Sequence, residues 1–176
     1  ARFAQAWANA DIDLGKTCVS LDELKTAWIK GSKIGNWKDL GTGWKDVAMK
    51  LAGPGNQSGT YDFFNEEVLG KDAAGEVNTP RSDYAASEDD NVIVTAVSGA
   101  AGTMGYFGFS YYEENLDKLS ALEVKGDGEC VVPTAETITS GDYPLSRPLY
   151  IYISNESLAR PEVDLLLRAV GELRDR

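Results

Sequence analysis

The chain has 176 residues, 43% of them hydrophobic, with 17 basic against 28 acidic side chains and a formal net charge of −11. That is enough chain for one domain with a sizeable core, and the acidic balance argues against non-specific binding of nucleic acid, which needs a basic face. Histidine is absent; this removes the commonest general base, the usual serine triads and most zinc sites, and the reading below names no catalytic residue, metal or cofactor.

In chain order, residues 3–10 are small and apolar, compatible with a helix or a frayed tail. The even pair Cys18 and Cys130 suggests one disulfide in a secreted setting, with two buried thiols of a cytosolic protein as the alternative. No leader peptide is visible, and no apolar run is long enough to span a membrane. Ser20 is a good helix N-cap, Glu23 sits at the capping-box position, Leu21, Leu24 and Trp28 share one face, and Gly31 stops the helix. Val47, Met49 and Leu51 alternate and predict a strand over 47–51.

Residues 53–69, GPGNQSGTYDFFNEEVL, then run from a glycine- and proline-rich loop through Ser58-Gly59-Thr60 into an amphipathic helix that Gly70 caps. The first turn of a helix has backbone N–H groups without helical partners and the positive end of the helix dipole. Ser58 and Thr60 add hydroxyl donors, and Gly59 admits an oxyanion close to the backbone. Since the net charge repels anions at long range, an anion there has to be held by local donors. The same three residues also suit an ordinary turn and N-cap.

Residues 71–79 predict a surface loop. Ser87-Glu88-Asp89-Asp90 opens an acidic helix start, a place that favours carboxylates; the spaced ligands and central glycine of an EF-hand are lacking. Strands are expected over 104–109, 121–124 and 149–153, helices over 111–119 and 134–138, and a last helix with Pro161 at its first position. The aromatic cluster Tyr106, Phe107, Phe109, Tyr111 and Tyr112 reads as core packing. Strands alternating with helices predict an α/β domain with a largely parallel sheet, and the strand–glycine loop–helix order is where open α/β sheets place ligands.

The successive motifs GPGNQSGTYDFF, RSDYAASEDDNVIV, GTMGYFGFSYYEEN and YPLSRPLYIYI, with LDELKTAWIKGSKIGNW before them, resemble the phosphate-binding, solute-receptor component of ABC-type phosphate importers. The match runs over about residues 18–163, and both flanks depart from the family's pattern. The resemblance implies that residues 1–176 are a single α/β lobe of a type II periplasmic-binding-protein-like fold, the second of two, expected as an isolated or trimmed lobe or as part of a protein with further segments. It implies a non-enzymatic receptor for inorganic phosphate, a periplasmic or cell-surface lipoprotein location, and an ABC permease in the membrane as partner of the intact two-lobe protein.

Residue by residue, the resemblance gives Ser58, Gly59 and Thr60 the role of phosphate donors. The arginine that many members place just before that triplet is replaced here by the Gly53-Pro54-Gly55 turn. Arg81, in the RSDY motif, is therefore expected to be the charged donor, with Asp83 holding it, and Ser87 is a further candidate contact. Two other readings use the same cradle: a phosphate-ester hydrolase with Ser58 or Thr60 as nucleophile, and an interaction domain with a vestigial site.

Overall fold

A computed structural model describes residues 2–7, 12–148, 150 and 152–174. Its main sheet has five strands, and their order is set by pairings between distant parts of the chain. The strands are β1 (Arg2–Trp7), β3 (Lys50–Pro54), β4 (Ala85–Ser87), β5 (Thr103–Gly108) and β8 (Ser146–Pro148), in the order β4-β3-β5-β1-β8. β3 runs parallel to both β4 and β5, whereas β1 is antiparallel to β5 and to β8. The parallel core follows the expectation; the antiparallel pairings around β1 make the whole sheet mixed. Residues 3–10 correct the expected helix or tail as far as they are described. β1 lies within the sheet, with Ala6 opposite Phe107 and Phe3 opposite Arg147; residues 8–10 of that expectation lie outside the described residues.

A smaller sheet joins β2 (Cys18–Ser20), β6 (Glu123–Lys125) and β7 (Cys130–Val131) in the order β2-β6-β7. The disulfide Cys18–Cys130 ties its two outer strands across a sequence separation of 112.

The first helix, α1 (Leu21–Trp28), begins as the sequence dictates. Ser20 Oγ accepts from the Glu23 N–H at 3.1 Å while Glu23 Oε2 accepts from the Ser20 N–H at 2.8 Å, the reciprocal arrangement that satisfies two orphan donors of the first turn. The helix delivers Trp28 into the core, where its ring meets Phe64, Tyr84 and Tyr106 edge-on at centroid distances of 5.6, 5.3 and 5.0 Å. β5 is buried along its whole length because both of its faces are covered, as expected for a strand inside a parallel set. Met104 and Tyr106 face Trp28 and Phe64, while Phe107 faces Ile93, Val94 and Val97 of α3 (Asp90–Ser98), the two-residue alternation of a strand.

Other expected elements shift for identifiable reasons. Residues 47–49 are extended, but Ala48 bridges to Asn36 and the Met49 N–H donates to Gly35 O, so the sheet strand starts only at Lys50. α4 (Phe109–Glu113) ends well before residue 119; Asn115 turns its amide onto Tyr111 O at 2.8 Å, a local bond that competes with helix continuation. α5 (Ala135–Ser140) starts on Thr134, and α6 (Pro161–Arg174) has Pro161 as its first residue. A strand, β8, lies three positions before the start of the one expected over 149–153. Positions 149 and 151 lie outside the described residues, and Tyr150 and Tyr152 stand exposed.

Candidate functional site

β3 carries the chain between two aromatic rings to the site. A β-carbon on Gly53 would lie 2.8 Å from Tyr106 Cε1 and 3.3 Å from Trp28 Cη2, so only glycine lets the strand pass there. Tyr84 fixes the strand's end, donating its hydroxyl to Pro54 O at 2.8 Å. Burial, and then the neighbouring Tyr61 and Glu88, push the Tyr84 hydroxyl up to about 12, so it stays a neutral donor.

After Pro54 the chain turns through residues 55–58 into α2 (Gly59–Phe64), which continues directly into a π-helix, Asn65–Leu69. Ser58 is the N-cap: its N–H donates to Gly55 O at 3.2 Å, its Oγ accepts from the Thr60 N–H at 3.1 Å, and its carbonyl accepts from the Asp62 N–H at 3.2 Å. Accepting that bond leaves the Ser58 hydroxyl proton able to donate outward. Gly59 is exposed and Thr60 is buried behind it. The turn therefore presents its donors at the carboxyl end of a parallel strand, where helix dipoles and strand ends converge.

Ser87 is brought to the same edge. It lies opposite Pro54 in the register, and its carbonyl accepts from the Gly55 N–H at 3.2 Å. It is not the cap of α3: Asp89 holds that position, and Ser87 Oγ accepts from the Asp89 N–H at 3.1 Å. Glu88, between them, reaches back to the loop, its Oε1 accepting from the Gln57 N–H at 3.3 Å.

The two arginines of interest lie at opposite ends of the parallel strands. Arg81 precedes β4 and borders a cavity of about 500 Å³ that Met49, Lys50, Ala85, Ala100 and Thr103 also line, the amino ends of β3, β4 and β5. Its guanidinium donates to both oxygens of Asp83, at 2.5 and 2.7 Å, and to the carbonyls of Ile34 and Ala27, at 2.6 and 3.3 Å. The bonds from Arg81 pull the Asp83 carboxyl down to about 2. Arg81, expected at the anion cradle, thus lies at the amino ends of the strands, whereas the Ser58 turn follows the carboxyl end of β3. The strands run between Arg81 and the Ser58 turn, and its bonds secure the 27–34 segment.

The arginine beside the turn is Arg147 of β8. Its Nη2 donates to Gly59 O at 3.2 Å, and its Cζ lies 5.0 Å from the Phe63 ring centre, a cation–π distance. Among the described residues, the cysteine–acid group close enough to share a metal ion is Cys18, Glu123 and Cys130, and both of its sulfurs are joined in the disulfide.

Residues 10–166 match the family described as a PBP superfamily domain. The chain belongs to that family. Protein SphX of Synechococcus elongatus is 41% identical over 147 residues, which is 80% of this chain and 42% of that protein. A phosphate-binding protein PstS of Staphylococcus haemolyticus is 40% identical over 157 residues, 88% of this chain and 46% of that protein. A crystal structure of a possible phosphate binding protein from Planctomyces limnophilus superposes with a TM-score of 0.76 at 37% identity, over 96% of this chain and 58% of that one. This PBP-superfamily chain thus spans less than half the length of these two curated relatives, and its architecture is that of one lobe of a periplasmic-binding-protein-like fold. The resemblance read from the ordered motifs is to the right proteins.

The residue beside the turn that sequence reasoning did not single out in this PBP-superfamily chain is Arg147. It stands in the YPLSRPLYIYI motif, but nothing local marks it. Its neighbourhood to Gly59 arises because β1 places β8 at the carboxyl edge. The available signal was a lone arginine in an otherwise apolar stretch, at a strand's end.

Proposed function

We propose that this lobe binds inorganic phosphate at the carboxyl edge of its parallel strands, as one half of the solute receptor of an ABC phosphate importer. The observation that carries the reading is the Ser58–Gly59–Thr60 turn at the start of α2 with the guanidinium of Arg147 beside it. Ser58 and Thr60 supply hydroxyl donors, the first turn supplies backbone N–H groups, and Arg147 supplies a positive charge whose planar fork suits two phosphate oxygens. Ser87 holds the loop from the adjoining strand, and Arg81 serves the fold. The names of relatives about 40% identical, phosphate-binding protein PstS among them, support phosphate as the anion.

On this reading the site needs no catalytic group, because recognition consists of replacing the water around the ion with fixed donors. The rest of the ligand shell comes from a second lobe, whose closure over phosphate is the signal to a membrane permease, in a location outside the cytoplasm. Calorimetric titration tests this. The chain alone is expected to bind phosphate weakly and sulfate more weakly still, and a two-lobe protein carrying it to bind phosphate far more tightly. Equal heats for phosphate and sulfate in both proteins would sink the assignment.

A further inference from the structure

The loop that leads to Ser58 already carries a negative charge. Glu88 Oε1 accepts from the Gln57 N–H at 3.3 Å, and it lies so close over Gly55 that a β-carbon there would meet it at 2.1 Å. The carboxylate is held on a short tether. On one side of it, Ser87 is locked by its register with Pro54 and by the Gly55 N–H to Ser87 O bond; on the other, Asp89 is fixed as the cap of α3. Gly55 thus makes room for an anionic oxygen against the backbone, and the chain itself provides one. Glu88 also bears on Tyr84, whose hydroxyl anchors the same strand end.

We propose that Glu88 is a tethered anion that shapes the ligand-free loop and competes with incoming phosphate, setting the lobe's affinity. The inference rests on the phosphate reading above. Two effects act in the same direction. The carboxylate occupies the Gln57 N–H, and its charge repels any oxyanion that enters the turn, an interaction of roughly one tenfold step or less for one pair of unit charges about 4 Å apart in water. Displacing the side chain releases it to solvent, which its exposed position allows.

The test is calorimetric titration of inorganic phosphate into the wild-type chain, Glu88→Gln and Glu88→Ala, with the Gln57 amide resonance followed by NMR. Glu88→Gln keeps an acceptor but loses the charge; Glu88→Ala loses both. Phosphate is expected to bind about fivefold more tightly to Glu88→Gln and at least as tightly again to Glu88→Ala, and the Gln57 amide of the ligand-free chain is expected to shift in Glu88→Ala. Equal or weaker phosphate binding by both variants, with the wild type still binding, overturns the role of Glu88 and leaves the phosphate reading standing. An absence of phosphate binding by all three proteins overturns both.

Discussion

Each end of the three parallel strands carries an arginine, and the two are held in different ways. At the amino end, Arg81 is clasped by a carboxylate and two main-chain carbonyls, with its side chain only 12% exposed. At the carboxyl end, Arg147 lies over the face of Phe63 and donates to the carbonyl of Gly59 in the exposed turn. A guanidinium bonded to fixed acceptors on several sides organises the chain around it. Arg147 instead places its charge on an aromatic ring beside a helix start. An arginine's place in a motif does not say at which end of the strands it stands; the topology does.

The comparison breaks first at Arg81. Arg81→Ala leaves the carbonyls of Ile34 and Ala27 and the Asp83 carboxylate without their donor, and it is expected to destabilise the fold by about 2–4 kcal/mol, read from the urea midpoint. The phosphate affinity of the folded fraction is expected to stay within about twofold. A tenfold loss of affinity at unchanged stability would return Arg81 to the site. The converse holds for Arg147→Ala: phosphate binding about tenfold weaker or worse, for loss of a charge-assisted bond, with stability changed by less than about 1 kcal/mol. If urea denaturation finds Arg147→Ala the more damaging of the two, the distinction between the ends fails.

Ser58→Ala sharpens the picture at the turn itself. It removes the cap on the Thr60 N–H, expected to cost about 1 kcal/mol of stability, and it weakens phosphate binding beyond what that loss explains. Binding that is unchanged once stability is accounted for would leave Ser58 a cap and nothing more. The smallest effect belongs to the Arg81–Asp83 pair under acid. The folded Asp83 carboxyl sits at about 2 against a reference of 3.8. The stabilisation is therefore present above about 4 and lost as the pH falls from there towards 2. Asp83 is largely exposed, so solvent screens the pair. A pH series of urea midpoints is expected to show a shallower acid loss in Asp83→Asn than in the wild type.

Features fixed by neighbours along the chain were the legible ones. Ser20 and Glu23 cap α1 because the capping box is built within four residues, and Ser58 opens α2 for the same kind of reason. Thr134 and Pro161 likewise mark helix starts. Cys18 and Cys130 were legible from their number alone. What escaped depends on partners far away in sequence. β1 has the composition of a helix or tail and becomes a strand because β5 and β8 flank it. The alternation of residues 47–51 is real, but its first half pairs with the turn at 35–36 and not with the sheet. Arg147 reaches Gly59 across 88 positions, and Arg81 is drawn away by carbonyls of the 27–34 segment. Helix starts are local statements; which arginine stands where is a statement about topology.

The placement of β1 has a further consequence, for the order of events as the chain is made. Phe3 pairs with Arg147, so the strand cannot complete its ladder until roughly 140 more residues have been synthesised, some 7–30 s at the usual ~5–20 residues per second. Until then the edge of β1 away from β5, the one that β8 covers, is without its strand partner. Closing so long a loop also makes this pairing a slow, late step of folding. Arg147 therefore reaches the carbonyl of Gly59 only when β8 has joined β1 at the sheet's outer edge.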